Sequence, residues 1–454
     1  MQNDRLGYGR IDIFTKPGAQ KYHGSASTEF NDARMNALST FLSNSTLPPP
    51  VYYTWLTDAS LGGPLEKNAS FFFAFQRRNI DRANLVNTDI LDSSFNVVPY
   101  VASVDNPRIL TDVNPRVDLQ LDPKNALAVD YEYFRIGENN DGVDTQSLPA
   151  AAYDAARHHH SLRIMDNQTF SANVVNQINF QYLHFHNSEN PLNTTRAVDV
   201  LGAFLGGGGT DGMLQRYESH YEFQDYATVQ RGSHLLQFGG FLRNVRRRED
   251  ASANFNGTFT FNSLAEYQQT EKALAAGESM AQIQAAGYGP SQFNITAGNL
   301  GASVNRIDGF LFFGDDWKVS RRITASYGLR FETENVISDH ADWAPRFGLS
   351  WALGKGSQPK TILRAGWGLF YERFDDDQMI VAARLNGVNQ TTYIVNQPQF
   401  FPTVPPLSSL SASPQSLPTV YRIAPNLHSP YDMDTAVSIE FPIGECRVDV
   451  RETA

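Results

Sequence analysis

The chain has 454 residues, of which 19% are charged and 12% aromatic, and its net charge is −11 at pH 7. The acidic balance argues against nucleic-acid binding as its main task. The single cysteine, Cys446, rules out an internal disulfide and a cysteine-based zinc site. Mean hydropathy is −0.37, and no run of about 18 apolar residues offers a transmembrane helix. Few charges and many aromatics at negative hydropathy fit a wall that alternates lipid-facing apolar residues with polar residues facing a lumen.

The dominant pattern along the chain has period two. Val117, Leu119 and Leu121 alternate with Arg116, Asp118 and Gln120; Leu127, Val129 and Tyr131 alternate with Ala128, Asp130 and Glu132; Ile178, Phe180 and Tyr182 alternate with Asn179 and Gln181. Read this way, about 14 strands are predicted near 22–31, 51–63, 69–80, 112–122, 125–137, 159–170, 175–187, 216–230, 234–249, 304–319, 323–337, 344–354, 360–374 and 431–442. Short turns with Gly, Pro, Asn or charge, such as Asp122-Pro123-Lys124-Asn125 and Arg231-Gly232-Ser233-His234, alternate with long stretches. The long ones, 32–50, 81–110, 138–157, 188–215, 252–303 and 379–430, read as irregular external loops. Within 252–303, Ser263 to Ala286 reads as helix, with Ser263 and Glu266 as a capping box. Residues 402–430 are Pro/Ser-rich and read as loop.

Aromatic residues Trp317, Trp343, Trp351, Trp367, Tyr327 and Tyr371 fall near strand ends or on apolar faces, as interfacial girdles require. A soluble antiparallel sheet would share the alternation, but so many long loops are unusual in a compact soluble domain. The expected fold is an all-β, antiparallel transmembrane barrel.

The candidate sites have plain readings. His158-His159-His160 suggests metal, but alternation sends His159 to the opposite face, so a polar strand entrance is preferred. His184 and His186 share a strand face and could join such a site. Asp375-Asp376-Asp377 lacks the Gly and spaced acids of a calcium loop and reads as a solvated loop. Arg243, Arg246, Arg247 and Arg248 either line the lumen, meet lipopolysaccharide phosphates at the outer rim, or form a mixed solvated strand end. Gly206-Gly207-Gly208-Gly209 is followed by Thr210-Asp211-Gly212 rather than Lys-Ser/Thr and a helix, and reads as a flexible external loop. No motif for nucleophilic or metal-assisted catalysis is found. No catalytic, cofactor or metal residue is assigned, and no ligand-binding residue can be named.

Several segments, in order, resemble TonB-dependent receptors of the large Oar-like type. Gly9-Arg10-Ile11-Asp12-Ile13-Phe14-Thr15-Lys16-Pro17-Gly18 is similar to the end of their plug domain, and Tyr22-His23-Gly24-Ser25-Ala26 to the first barrel strand. Leu61-Gly62-Gly63-Pro64-Leu65-Glu66-Lys67-Asn68 with Phe71-Phe72-Phe73-Ala74-Phe75-Gln76 resembles their first periplasmic hairpin. Phe312-Phe313-Gly314-Asp315-Asp316-Trp317 resembles F-x-Q-D-x-W, with Gly314 in place of Gln, and Tyr327-Gly328-Leu329-Arg330-Phe331-Glu332 resembles G-L-R-Y/F-E. Ala344-Pro345-Arg346-Phe347-Gly348 and Arg364-Ala365-Gly366-Trp367-Gly368 continue the series.

The resemblance implies a TonB box, a plug and a 22-stranded barrel. Against that plan, residues 1–20 are expected to end a plug domain, 21–444 to form part of the barrel, and 445–454 to be an atypical tail. The chain is therefore expected to be a fragment, inactive alone, with its start missing. The implied function is outer-membrane import of a large organic ligand, not enzymatic. The implied partners are outer-membrane lipid, the TonB complex through the missing N-terminal region and an extracellular ligand, with no nucleic acid and no cofactor. A structural or adhesive surface barrel, and a soluble secreted β-sandwich or glycan-processing enzyme, are the competing readings.

Overall fold

The computed structural model describes residues 18–37, 52–354, 361–411, 416–443 and 446–453. The plug strand expected over residues 9–17, most of the loop at 32–50, and residues 444, 445 and 454 lie outside the described residues.

Fifteen strands form one antiparallel sheet in strict chain order. These wall strands are β1 (His23–Asp32), β2 (Tyr53–Glu66), β3 (Ala69–Asp81), β4 (Arg108–Asp122), β5 (Asn125–Asp141), β6 (Tyr153–Ser171), β7 (Val174–Pro191) and β8 (Leu214–Arg231). Then come β9 (His234–Ala251), β10 (Gly301–Lys318), β11 (Ile323–Glu334), β12 (Asp342–Leu353), β13 (Thr361–Tyr371), β14 (Tyr431–Ile443) and β15 (Cys446–Thr453). Fourteen follow the predicted strands, several extended at their outer ends. The fifteenth pairs with β14 where an atypical tail was expected. Short turns at one end alternate with long connections at the other, the up-and-down plan of a membrane barrel. The sheet is not closed: β1 and β15 each pair with a single neighbour.

Register assigns each side chain to a face. Leu329 pairs with Phe313 and Pro345, Phe331 with Leu311 and Trp343, and Tyr327 with Phe347. Most of these apolar side chains are exposed, Leu311 at 65% and Phe347 at 57%, so this part of the sheet presents a broad apolar face. In water such a patch would be unsustainable; against lipid it is the expected surface. Followed through the ladder, the same face carries Val117, Leu119, Leu127, Val129 and Tyr131. Trp343, Trp351, Trp317 and Tyr327 also project there, as girdles require. The one buried carboxylate at its inner rim, Asp315, is held by the His234 ring at 2.6 Å and the Tyr327 hydroxyl at 2.7 Å.

The opposite face is polar. Arg116 pairs with Asp130, and Glu132 with Ser161. The chain's own segments fold against this face: the Gly18 amide donates to Asp118 Oδ2 at 3.0 Å. Aromatics enter it where glycine leaves room. Gly239 faces Tyr226, and a Cβ at Gly239 would come within 2.6 Å of the Tyr226 ring.

The long connections are not irregular. Six short strands from three of them form a second sheet, in the order Phe204–Gly207, Ala197–Val200, Thr258–Phe261, Gln292–Gly298, Gln390–Asn396 and Ser416–Thr419. Phe259, Phe261, Phe293 and Ile283 are fully buried in its core, joined by Val395, Phe401 and Leu410. A separate hairpin, Ala83–Leu91 with Val97–Asp105, stands beside it. The loop readings for 81–110, 188–215, 252–303 and 379–430 are thereby corrected. Four-residue strands give too little period to read, and their partners come from distant loops.

Two helices, α1 (Leu264–Ala275) and α2 (Met280–Ala285), cover this cap. Ser263 caps α1 by accepting from the Glu266 amide, while the Glu266 carboxylate reaches the Asn262 amide. The full reciprocal capping box is at Ser279 and Gln282 on α2. The Gly206–Gly209 run is not a flexible loop either. Gly206 and Gly207 end a strand, and Gly207 at φ +76° packs against the Arg196 carbonyl.

Candidate functional site

The densest chemistry lies on the polar face, where wall and loop meet. Asp375 is the N-cap of helix α3 (Asp376–Arg384), accepting from the amides of Asp377 at 2.7 Å and Gln378 at 3.1 Å. The acidic run is thus a helix start, not a solvated loop. Its first turn is fixed to two wall arginines. Asp376 meets Arg306 at 2.7 Å and Asp377 meets Arg247 at 2.6 Å. At the far end Arg384 binds Glu249 at 2.5 Å. Just before α3, Arg373 spans Asp308 at 2.5 Å and Glu332 at 3.3 Å, and the Phe374 amide donates to Glu334.

These contacts belong to a larger buried network. Arg243 binds Asp308 at 3.0 Å, Arg247 binds Glu249 at 2.9 Å, and Arg330 binds Glu332 at 2.7 Å while lying 3.3 Å over the Phe310 ring. Buried pairs of this kind add little net stability against apolar replacements. Removing one partner costs about 3–5 kcal/mol, because the other charge is left unpaired. The network ties α3 to the wall through three ion pairs, Asp376–Arg306, Asp377–Arg247 and Arg384–Glu249. Burial pushes the Asp376 carboxyl above the usual carboxylate range, only partly offset by Arg306. The hydrogen bond from Arg247 holds Asp377 below that range.

Sequence alternation separates the arginine run. Arg243 and Arg247 face inward in this network, and Arg246 and Arg248 project outward. The histidines divide as expected. His159 stacks on Phe185 at 4.6 Å on the inner face; His158 stacks with His186 at 5.8 Å and His160 lies 6.3 Å from His184 on the outer face. Asp154 lies further out, accepting from the Asn140 amide. Among the described residues, no group of three or more His, Cys, Asp or Glu is arranged to hold a metal ion.

The external cap supplies a recess. A polar pocket of about 520 Å³ opens between Asn87–Asp89 of the hairpin, Gln146, the Leu201–Ala203 turn and Ser263. Its wall is pinned by the Thr88 hydroxyl donating to the Ala203 carbonyl at 2.6 Å. Neither this recess nor the partners of α3 were visible as sites in the sequence. The inner-face signal was present: Arg306 and Asp308 flank Ile307, and Arg330 and Glu332 flank Phe331.

A largely apolar outer face, a polar inner face and long structured loops at one end define the wall of a transmembrane β-barrel. The chain belongs to the outer membrane beta barrel domain family, whose model matches residues 87–341 and 333–445. Its place is the outer membrane of a Gram-negative bacterium. The fold is similar to the outer membrane transporter YddB from Escherichia coli, with 13% identity and a TM-score of 0.58, covering 87% of this chain and 45% of that one. It is similar to the siderophore receptor PirA from Pseudomonas aeruginosa, with 12% identity and a TM-score of 0.53, covering 96% of this chain and 56% of that one. A mutant of the ferric enterobactin receptor PfeA from Pseudomonas aeruginosa gives 11% identity, a TM-score of 0.56, and coverage of 96% and 53%. The chain thus spans about half the length of these structures. No curated protein matches it.

Proposed function

We propose that the chain is part of a TonB-dependent receptor of the Oar-like type, importing a large organic ligand across the outer membrane. The observation that carries this reading is α3, an external loop helix bound to the inner wall by Asp376–Arg306, Asp377–Arg247 and Arg384–Glu249. A purely structural or adhesive barrel has no need of a loop fixed inward by charge pairs to buried wall residues. A receptor does, because captured ligand must pass from external loops to the interior. The folded cap and its polar recess fit the capture step, and the fold-level likeness to a transporter and siderophore receptors agrees with it. The ligand class is read as large and organic. Energy would come from TonB.

The test is made in the intact parent gene. Deleting 252–300 removes cap strands but leaves β10, which begins at Gly301. Membrane insertion should persist and energy-dependent uptake should stop. A parent gene encoding no plug or TonB box, with surface adhesion as its only phenotype, would overturn the reading in favour of an adhesive barrel.

A further inference from the structure

The outward side chains of five adjacent wall strands, β5 to β9, change character toward the loop end. Midway along the wall one row is wholly apolar: Val129, Ile164, Phe180, Phe223 and Leu242 are register partners, while the next row toward the short turns mixes Leu127 and Ile178 with Asp166 and Asp225. On the loop side of the apolar row comes a tyrosine row, with Tyr131, Tyr182 and Tyr221. Beyond it the rows gain arginines and histidines. His160, His184, Ser219 and Arg246 are successive partners, and so are Arg135, His158, His186, Tyr217 and Arg248.

About nine to eleven residues of a tilted strand cross a bilayer, and Arg135, His160 and His184 lie about that far from the short turns at 122–125 and 171–174. Arg135, Arg246 and Arg248 are exposed on this face. Arg246 is steadied by Asn244 at 3.0 Å and by the Tyr221 ring at 5.7 Å. The His186 ring stacks on Tyr217 at 4.3 Å. Among the described outward positions from the tyrosine row to Arg248, none is a carboxylate. The next row holds Asp250, bound to Arg248 at 3.2 Å. Cations on a lipid-facing surface are costly at the bilayer centre and tolerated at its edge, where phosphate-bearing headgroups are their natural counter-ions.

We propose that Arg135, Arg246 and Arg248, with the outward histidines, form a binding surface for the phosphate of an anionic lipid in the outer leaflet. The arginines supply charge-assisted hydrogen bonds, the tyrosine row marks the headgroup boundary, and the apolar row of Val129, Ile164, Phe180, Phe223 and Leu242 below it receives the acyl chains. The inner-face arginines Arg243 and Arg247 take no part, being committed to Asp308, Glu249 and Asp377.

The test uses the purified full chain in nonionic detergent, with retained lipid counted by native mass spectrometry. Phosphatidylglycerol should be retained at least tenfold better than an uncharged galactolipid. The triple variant R135Q/R246Q/R248Q should lose most of that preference, and the triple Arg→Lys variant should keep most of it. Should the triple Gln variant fail to fold by circular dichroism, the single changes R246Q and R248Q serve instead, each expected to lower retention severalfold. Inorganic phosphate at equal concentration should displace little lipid. Equal retention of both lipids, undiminished retention in the folded Gln variants, or full displacement by inorganic phosphate would each overturn the proposal.

Discussion

Arg306 and Asp376 stand 70 positions apart in sequence, yet their side chains meet at 2.7 Å, joining wall strand β10 to the first turn of α3. The arginine is 4% exposed. Changing Arg306 to Ala should therefore free α3 while leaving the wall folded. The expected cost to docking is at most the roughly 3–5 kcal/mol of a fully buried pair, because Asp376, left without its main partner, is half-buried rather than sealed from water. Limited proteolysis reads this as new cleavage within 374–388; an unchanged digest would show that the remaining pairs suffice.

The two adjacent aspartates should give opposite pH responses. Asp377 is held low by Arg247, so its contribution to docking is present above the ordinary value of 3.8 and is lost as pH falls below it. Asp376 is raised by burial, so its contribution fades as pH rises through the carboxylate range. Asp376→Asn should steepen the release of α3 on acidification, and Asp377→Asn should flatten or reverse it. Hydrogen exchange of the amides of Met379–Arg384 against pH checks the sign in each variant.

The cap should melt separately from the wall. Phe259 is fully buried between Phe293, Phe400 and Phe401. Phe259→Ala should cost about 3–5 kcal/mol locally and expose the segments 197–207, 258–298 and 390–396 to protease. Strand content from the wall should hardly change. Loss of the whole β signal would mean that cap and wall fold as one unit.

Lipid-face and inner-face substitutions should differ in kind. Leu311→Arg places a charge on the apolar face and should cost about 2–4 kcal/mol near the bilayer midplane. Gln224→Arg, on the polar face beside Asn179, should insert almost normally. Yield of folded protein after refolding into lipid vesicles compares the two.

The wall was legible because its period is long and regular. Residues such as Val117, Leu119, Leu127 and Val129 declare their face by alternation alone, and short turns such as 122–125 set the register. The cap was not legible, because strands such as Thr258–Phe261 and Ala197–Val200 are four residues long and pair in parallel across two loops. The aspartates 375–377 were misread for a related reason. Alone they look solvated; only the partners Arg306 and Arg247, from distant wall strands, show that the run starts a helix. The outward histidines were assigned to the correct faces, but their arginine neighbours come from other strands.

The central claim is that one face of the sheet meets lipid and the other does not, and alternate positions of β10 test it most directly. With Cys446 replaced by Ser, single cysteines at 310, 311, 312 and 313 carry a fluorophore in the protein in lipid vesicles. Brominated lipid should quench the label at the positions of Leu311 and Phe313 and spare those of Phe310 and Phe312, whose side chains pack inward with Phe241 and Arg330. Equal quenching at all four, or quenching at 310 and 312 instead, would contradict the account.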